Sequence, residues 1–402
     1  MHAYDTRYPA IADLKERARR RLPKFAWEYL SGGIGPEYGL RRNRDAFNEV
    51  QLVPRYLRDV SACDTSVTLF GETYAMPIGV APVGLAGMLW PQSELILARA
   101  ASQANIPFTL STVGTVDLET IAEVSEGKAW FQLYVPADHY VAEDILRRAQ
   151  RAGYKVLLVT VDVPVGAKRD RELRNGLTLP PRLTPKTFLR AAVRPQWSMR
   201  TLSNGLPRFE SIKQYAPPDM RNLGGMTAFI TELLAQGVTA EHLKMIRDHW
   251  TGALVIKGVV SESDAQHACE LGADGILVSN HGGRQMDAAP ATIQALPGIV
   301  EAVGGRCKVL LDSGVRSGTD VLRAMALGAD FTLSGRSFYY GVGALGAKGG
   351  QQVVEIFREE ISRGLAQLGC TKMSALDHRW LGATTDSVNP GSRPTSNTHS
   401  QS

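Results

Sequence analysis

The chain has 402 residues, 44% of them hydrophobic and 21% charged, with a formal net charge of +5. That is ordinary globular composition with ample apolar material for a core, and it excludes a disordered or fibrous protein. No run of about 18 apolar residues offers a membrane span, and the excess charge is too small and too dispersed to argue for nucleic acid.

The opening stretch, MHAYDTRYPA, lacks the apolar centre of a signal peptide. Cys63, Cys269, Cys307 and Cys370 include no CxxC pair, so reduced thiols in a cytoplasm are expected. Residues 1–75 form a prelude. A charged helical stretch at 13–21 carries four arginines, and 22–29 follows with Tyr29 at its end, where the Ser-Gly-Gly-Ile-Gly of 31–35 breaks the helix. From Met76 a regular alternation begins. Short apolar runs stand at 78–81, 107–110, 130–133, 156–161, 254–256, 276–278, 309–311 and 331–333. Helical patterns at 93–104, 117–126, 140–152, 240–249, 261–271, 291–303 and 318–327 separate most of them. Strands alternating with helices imply a parallel sheet under helical cover. Eight such units predict an α/β fold of the (β/α)8 TIM-barrel type, with an N-terminal helical extension and a long insertion after strand 4. An open doubly wound sheet is the alternative.

The insertion spans 176–237 and is rich in Pro and Arg. Between Pro180 and Phe209 stand six basic residues (Arg182, Lys186, Arg190, Arg194, Arg200, Arg208) and no acid, with Leu183, Phe188, Leu189, Val193 and Trp197 interleaved. Such a segment can lie on an anionic membrane surface or form a solvated lid over the barrel mouth. The barrel is expected to run over 76–368, ending in a helix at 351–368. The C-terminal segment 369–402 is Ser-, Thr-, Asn- and Pro-rich from about 384 and is expected to be disordered there.

The chemistry collects where the apolar runs stop. The first ends in Pro82-Val83-Gly84, the second in Ser111, the third in Gln132 and Tyr134. The fourth ends in Thr160, Asp162 and, after a short loop, Arg169; the fifth in Lys257. The sixth ends in Ser279-Asn-His281-Gly-Gly-Arg284, the seventh in Asp312-Ser313-Gly314-Val315-Arg316, the eighth in Gly335-Arg336. In a barrel all these ends share one face, the face that carries active sites. Histidine exchanges protons near neutral pH, and arginine grips carboxylates and phosphates through paired donors. Glycines with Arg316 and Arg336 suggest a phosphate site after strands 7 and 8. Lys257, nearly alone in an apolar strand, calls for an anionic partner. No metal-ligand pattern is present. A GxGxxG match at 341–346 lies after the eighth strand rather than at the start of a βαβ unit, and is set aside as a dinucleotide site.

With these residues assembled, the sequence resembles the FMN-dependent L-2-hydroxy acid oxidoreductases, above all the bacterial (S)-mandelate and L-lactate dehydrogenase branch. Ser-Asn-His-Gly-Gly-Arg-Gln at 279–285 is the most specific mark. The resemblance implies bound FMN and oxidation of an L-(S)-2-hydroxy acid to the 2-oxo acid. His281 is then the base, supported by Asp162. Arg169 and Arg284 bind the substrate carboxylate, Tyr29 and Tyr134 hydrogen-bond the substrate, and Lys257 stands at flavin N1. Pro82, Val83, Gly84, Ser111, Gln132, Thr160, Ser279, Asp312, Ser313, Gly314, Val315, Arg316, Gly335 and Arg336 complete the FMN cradle. The family pattern further implies a homo-oligomer, often a tetramer, and an acceptor that is oxygen, a quinone or an electron-transfer protein. It also raises the expectation of peripheral contact through 180–209 with the inner face of the cell membrane. An oxygen-using oxidase of the same family is the alternative. An FMN barrel enzyme of another reaction class and a non-catalytic scaffold are the remote ones. Gly84, where many members carry Ala, is expected to leave room beside the flavin.

Overall fold

A computed structural model of the chain describes residues 4–176, 185–221, 223–233 and 237–382. Arg182 and Leu183 of the insertion, and the tail from 384, lie outside the described residues. So do the side chains of Lys186 and Phe188.

A short antiparallel hairpin, β1 (Val67–Leu69) and β2 (Glu72–Tyr74), precedes eight parallel strands. These are β3 (Ile78–Val80), β4 (Thr109–Ser111), β5 (Trp130–Leu133), β6 (Val156–Thr160), β7 (Ala253–Val259), β8 (Gly275–Val278), β9 (Lys308–Leu311) and β10 (Phe331–Ser334). Each expected apolar run became a strand. All eight are almost wholly buried, as strands covered on both faces must be. The sheet order runs β3-β10-β9-β8-β7-β6-β5-β4. A parallel bridge between Val80 and Phe108, with Val80 N–H donating to the Pro107 carbonyl at 2.9 Å, joins the two ends and closes the barrel. The hairpin plugs the N-terminal end. Tyr74 packs edge-on against Trp130 and Phe331, with ring centroids 6.0 and 5.4 Å apart.

Helices Ile11–Arg21, Lys24–Ser31 and Tyr38–Glu49 build the N-terminal extension. The last was not evident in the sequence, where its short polar run masks the burial of Asn43, Ala46 and Phe47. The 341–346 glycines lie in and just after helix Arg336–Leu345. A Cβ on Gly343 would stand 3.2 Å from Ala18 and 3.1 Å from Leu22, so this glycine lets the N-terminal helix approach closely.

Two expectations are corrected. Cys269 and Cys307, 38 residues apart, are joined as a disulfide, while Cys63 and Cys370 are free. The partners stand at the C-terminal end of helix Glu262–Glu270 and just ahead of β9, on either side of β8, with Cα atoms 6.2 Å apart. That span suits a disulfide, and short-range spacing could not reveal it. Trp197 does not belong to an outward apolar face. It is 7% exposed, donates its indole N–H to the Met88 and Leu89 carbonyls, and meets Phe25 edge-on at 5.5 Å. It therefore pins the insertion to the body of the protein. No described helix is long and apolar enough to cross a membrane.

Candidate active site

His281 follows β8 on a backbone that turns sharply: His281, Gly282 and Gly283 have φ of 58°, 66° and 72°. A side chain is disfavoured at such angles, and a non-glycine residue held there is a mark of functional constraint. The glycines are required twice over. A Cβ on Gly282 would lie 2.6 Å from the Arg336 guanidinium, and one on Gly283 2.6 Å from the Leu40 backbone nitrogen. Asn280 and Asn43, both buried, exchange two hydrogen bonds of 2.7 Å and tie this turn to helix Tyr38–Glu49.

The imidazole is gripped from one side. His281 Nδ1 lies 2.9 Å from Asp162 Oδ1, and its Nε2 lies 3.3 Å from the Tyr134 hydroxyl. Burial works against the Asp162 carboxylate, but the charges of His281 and Lys257 and the His281 hydrogen bond overcome it and hold its pKa at about 2. An ionised carboxylate only accepts, so Nδ1 carries the proton and Nε2 keeps its lone pair for the cavity. Burial, with help from the charge of Lys257, keeps the His281 pKa below its ordinary 6.5, while Asp162 opposes the shift. The resting imidazole is therefore neutral at neutral pH.

Two guanidinium groups face the same space. Arg284 donates to the Tyr29 carbonyl at 2.7 Å and the Gly32 carbonyl at 3.0 Å, and stands over the Tyr29 ring. Arg169 donates to the Arg284 carbonyl at 3.3 Å and to Gln285 Oε1 at 3.4 Å. Burial and the nearby Arg284 push the Arg169 pKa down. Sequence reasoning missed Glu172, whose carboxylate meets Arg284 at 2.7 Å and Arg169 at 3.5 Å. Helix Asp170–Arg174 brings it back toward Arg169 three residues later, a spacing that could have flagged it. The Tyr29 hydroxyl donates to the Gly84 carbonyl at 2.8 Å, and burial raises the pKa of both Tyr29 and Tyr134.

The strand ends supply a polar floor. Pairing of β4 with β5 puts Ser111 beside Gln132, and pairing of β6 with β7 puts Thr160 beside Lys257. Ser111 Oγ donates to Gln132 Oε1 at 2.8 Å, and Gln132 Nε2 to Thr160 Oγ1 at 2.9 Å. Lys257, 4% exposed, donates to Ser279 Oγ at 3.2 Å, with Asp312 Oδ2 at 3.9 Å. Ser313 Oγ accepts from Gly282 N–H at 2.8 Å and donates to Asp312 at 2.6 Å.

At the far end stand Arg316 and Arg336. Arg336 donates to the carbonyls of Leu30, Gly32 and Gly282 at 2.7 to 2.9 Å. Burial, then the charge of Arg316, brings its pKa down to about 9. Burial likewise lowers Arg316. Neither makes an ion pair with a carboxylate among the described residues. Two half-buried cations repelling one another where helix Arg336–Leu345 begins suit an anion between them.

One cavity is lined by Tyr29, Pro82, Val83, Gly84, Tyr134, Arg169, Lys257, His281, Arg284, Asp312, Ser313, Gly314, Arg316, Gly335 and Arg336. Asp162, Ser111, Gln132, Thr160 and Ser279 stand just behind that wall. Val315 stands behind the wall as well: its side chain is fully buried, and its carbonyl accepts from Ser334, Ser337 and Arg316. The room expected at Gly84 is taken as well. A Cβ there would lie 2.5 Å from a Val113 methyl.

Residues 18–383 match the model of the FMN-dependent dehydrogenases. The chain is 36% identical to (S)-mandelate dehydrogenase of Pseudomonas putida over 371 residues, covering 92% of this chain and 93% of that one. It is 40% identical to an L-lactate dehydrogenase of Caulobacter vibrioides over 376 residues, 92% and 97% of the two chains. A crystal structure described as that of the monotopic membrane protein (S)-mandelate dehydrogenase superposes with a TM-score of 0.89 at 36% identity, covering 93% of this chain and 98% of that one. The chain belongs to the family of FMN-dependent dehydrogenases.

Proposed function

We propose that this cavity oxidises an L-2-hydroxy acid of the lactate or mandelate type to its 2-oxo acid. The observation that carries the reading is the Asp162–His281–Tyr134 line, with the unprotonated Nε2 beside the Tyr134 hydroxyl at a cavity that Arg169 and Arg284 also line. FMN, when bound, supplies the two-electron acceptor. The residues present fit it. Arg316 and Arg336, with no carboxylate paired to them among the described residues, would hold its phosphate, and Ser111, Gln132, Thr160 and Lys257 would meet the polar edge of its ring.

The chain's own residues do the rest. Arg169 and Arg284 fix the substrate carboxylate and so fix the pose of the α-carbon. His281 Nε2 takes a proton from the hydroxy acid, and Asp162 stabilises the imidazolium that results. Tyr134, within reach of Nε2, and Tyr29, beside Arg284, orient the substrate oxygens. Reduction of the bound flavin by a panel of hydroxy acids without oxygen tests this. Failure of every L-2-hydroxy acid to bleach the protein would refute it, and reoxidation by a quinone far faster than by oxygen is expected of a dehydrogenase.

We further propose that the enzyme is a peripheral membrane protein and a homo-oligomer, a tetramer by family pattern. Leu189, Val193, Met199, Leu202 and Leu206 are between 59% and 84% exposed, set among Arg190, Arg194, Arg200 and Arg208 with no acid between 185 and 208. An apolar face ringed by arginine suits the boundary of an anionic bilayer. Leu189→Ser with Leu202→Ser should move the protein from the membrane fraction to the soluble one, and unchanged fractionation would refute the contact. Light scattering on the purified protein reads the oligomeric state.

A further inference from the structure

Outside the active site, one cluster of cations is left unused by the mechanism. A cavity of about 440 Å³ lies between helix Ile11–Arg21 and the start of helix Pro195–Asn204. Arg17, Arg21 and Arg194 enter it, and Val193 of the exposed apolar face stands on its rim. The two acids in its wall are already engaged. Asp13 accepts from the Ala10 backbone at the start of its own helix, and Glu16 holds Arg19 and Arg20.

Three arginines are left without a carboxylate among the described residues. Arg17 and Arg21 are one turn apart on one helix, a like-charge spacing that disfavours the helix. Both donate to a single acceptor, the Ala344 carbonyl. Arg17 also lies over the Tyr8 ring and donates to its hydroxyl at 2.5 Å, and Arg21 lies 4.6 Å over the Trp90 ring. The Nε of Arg21 is buried with no acceptor. Burial, then the charge of Arg17, depresses the Arg21 pKa. Arg194 comes from the insertion and donates to the Leu22 carbonyl at 3.2 Å. Aromatic faces and backbone oxygens orient these groups without neutralising them.

We propose that this cavity binds the phosphate of an anionic phospholipid whose acyl chains run along the Val193 face. The inference rests on the membrane contact proposed above. It adds a specific headgroup site, built half from the N-terminal helix and half from the insertion, to what would otherwise be a diffuse basic surface. A phosphate supplies acceptors to the guanidinium groups that line the cavity and removes the repulsion between Arg17 and Arg21. The adjacency of Val193 and Arg194 places headgroup and hydrocarbon on one continuous edge, which favours a lipid over a free anion.

The test is sedimentation of FMN-loaded protein with vesicles of phosphatidylcholine alone or with phosphatidylglycerol. Two variants are compared, each losing two positive charges: Arg21→Gln with Arg194→Gln in the cavity, and Arg200→Gln with Arg208→Gln on the exposed surface. The cavity variant should lose about tenfold in affinity for phosphatidylglycerol vesicles, some 1.4 kcal/mol, and the surface variant much less. Retained flavin colour and hydroxy acid turnover show that each variant is folded. Equal losses in the two variants would overturn the headgroup site while leaving membrane contact standing. Wild-type protein that ignores every vesicle would overturn both. If inorganic phosphate alone raises the melting temperature of the wild type but not of the cavity variant, and vesicles do not bind, the site takes a free anion and the lipid assignment falls.

Discussion

Asp162→Asn isolates the electrostatic part of the proposed base. Asparagine keeps an oxygen for His281 Nδ1–H at the same 2.9 Å, so the ring should keep its orientation while the negative charge is lost. The carboxylate sits at about 2 against an ordinary 3.8. That depression of about two pH units, at 1.36 kcal/mol each, corresponds to about 2 to 3 kcal/mol of net stabilisation. Two unit charges about 4 Å apart in an effective dielectric of about 20 interact by about 4 kcal/mol. The charged imidazole should lose an amount between these figures, slowing anaerobic flavin reduction by about 10²- to 10³-fold. The sign in pH is also fixed. Asp162 raises the His281 pKa against the effect of burial, so its removal should move the acid limb of kcat/KM to lower pH even as the rate falls. The assay is single-turnover bleaching across hydroxy acid concentrations and pH, in variant and wild type of equal flavin content. A rate within about threefold of wild type, or an acid limb displaced upward, would refute this role.

Glu172→Gln removes a negative charge that competes with substrate for both guanidinium groups. A non-reacting carboxylate such as benzoate, followed by the flavin spectrum, should bind roughly five- to thirtyfold more tightly, for about 1–2 kcal/mol; weaker binding would make Glu172 a brace for Arg284 instead. Gly84→Ala should shift the loop at 82–84 against Val113 and lower the reduction rate, and adding Val113→Ala should recover much of the loss. Simple additivity of the two single effects would argue against the contact. Glu94, buried and accepting from the Thr115 backbone N–H at 2.6 Å, has a pKa raised by burial from 4.5 to about 7. The folded state therefore keeps a proton that the unfolded chain releases, and stability falls as pH rises from 4.5 through about 7. The stability of Glu94→Gln relative to wild type should be greater at pH 8 than at pH 4.5 by about 3 kcal/mol, from some 2.5 pH units at 1.36 kcal/mol each. Denaturant melts at the two pH values measure it, and a pH-independent difference would refute the assignment.

The barrel was legible because each of its strands is buried on both faces and announces itself as an apolar run. The site was legible for a related reason. A run that stops at Lys257, Ser279 or Asp312 stops at the rim, so the polar residue and its position are read together. Contacts between residues distant in the chain left no such trace. Nothing near Asn280 points to Asn43, 237 residues earlier, and nothing near Cys269 points to Cys307. Trp197 misled because its apolar neighbours Val193 and Met199 are exposed while it turns inward, as does Thr201 one turn on. An amphipathic pattern says that a helix has two faces. It does not say which one the protein keeps for itself.

Helix Arg336–Leu345 shows how one motif can carry charge-binding and packing together. Its first residue brings a guanidinium to the active-site cavity beside Arg316. Gly343 permits the approach of helix Ile11–Arg21, and the last turn offers the Ala344 carbonyl to Arg17 and Arg21. Replacing Gly343 by a larger residue would push the N-terminal helix away from that carbonyl. The same displacement would act along the chain on helix Lys24–Ser31, where Leu30 and Gly32 accept from Arg336, and Tyr29 and Gly32 from Arg284. The extension is thus a working part of the site: it holds both of those arginines by backbone oxygens, which position a cation without neutralising it.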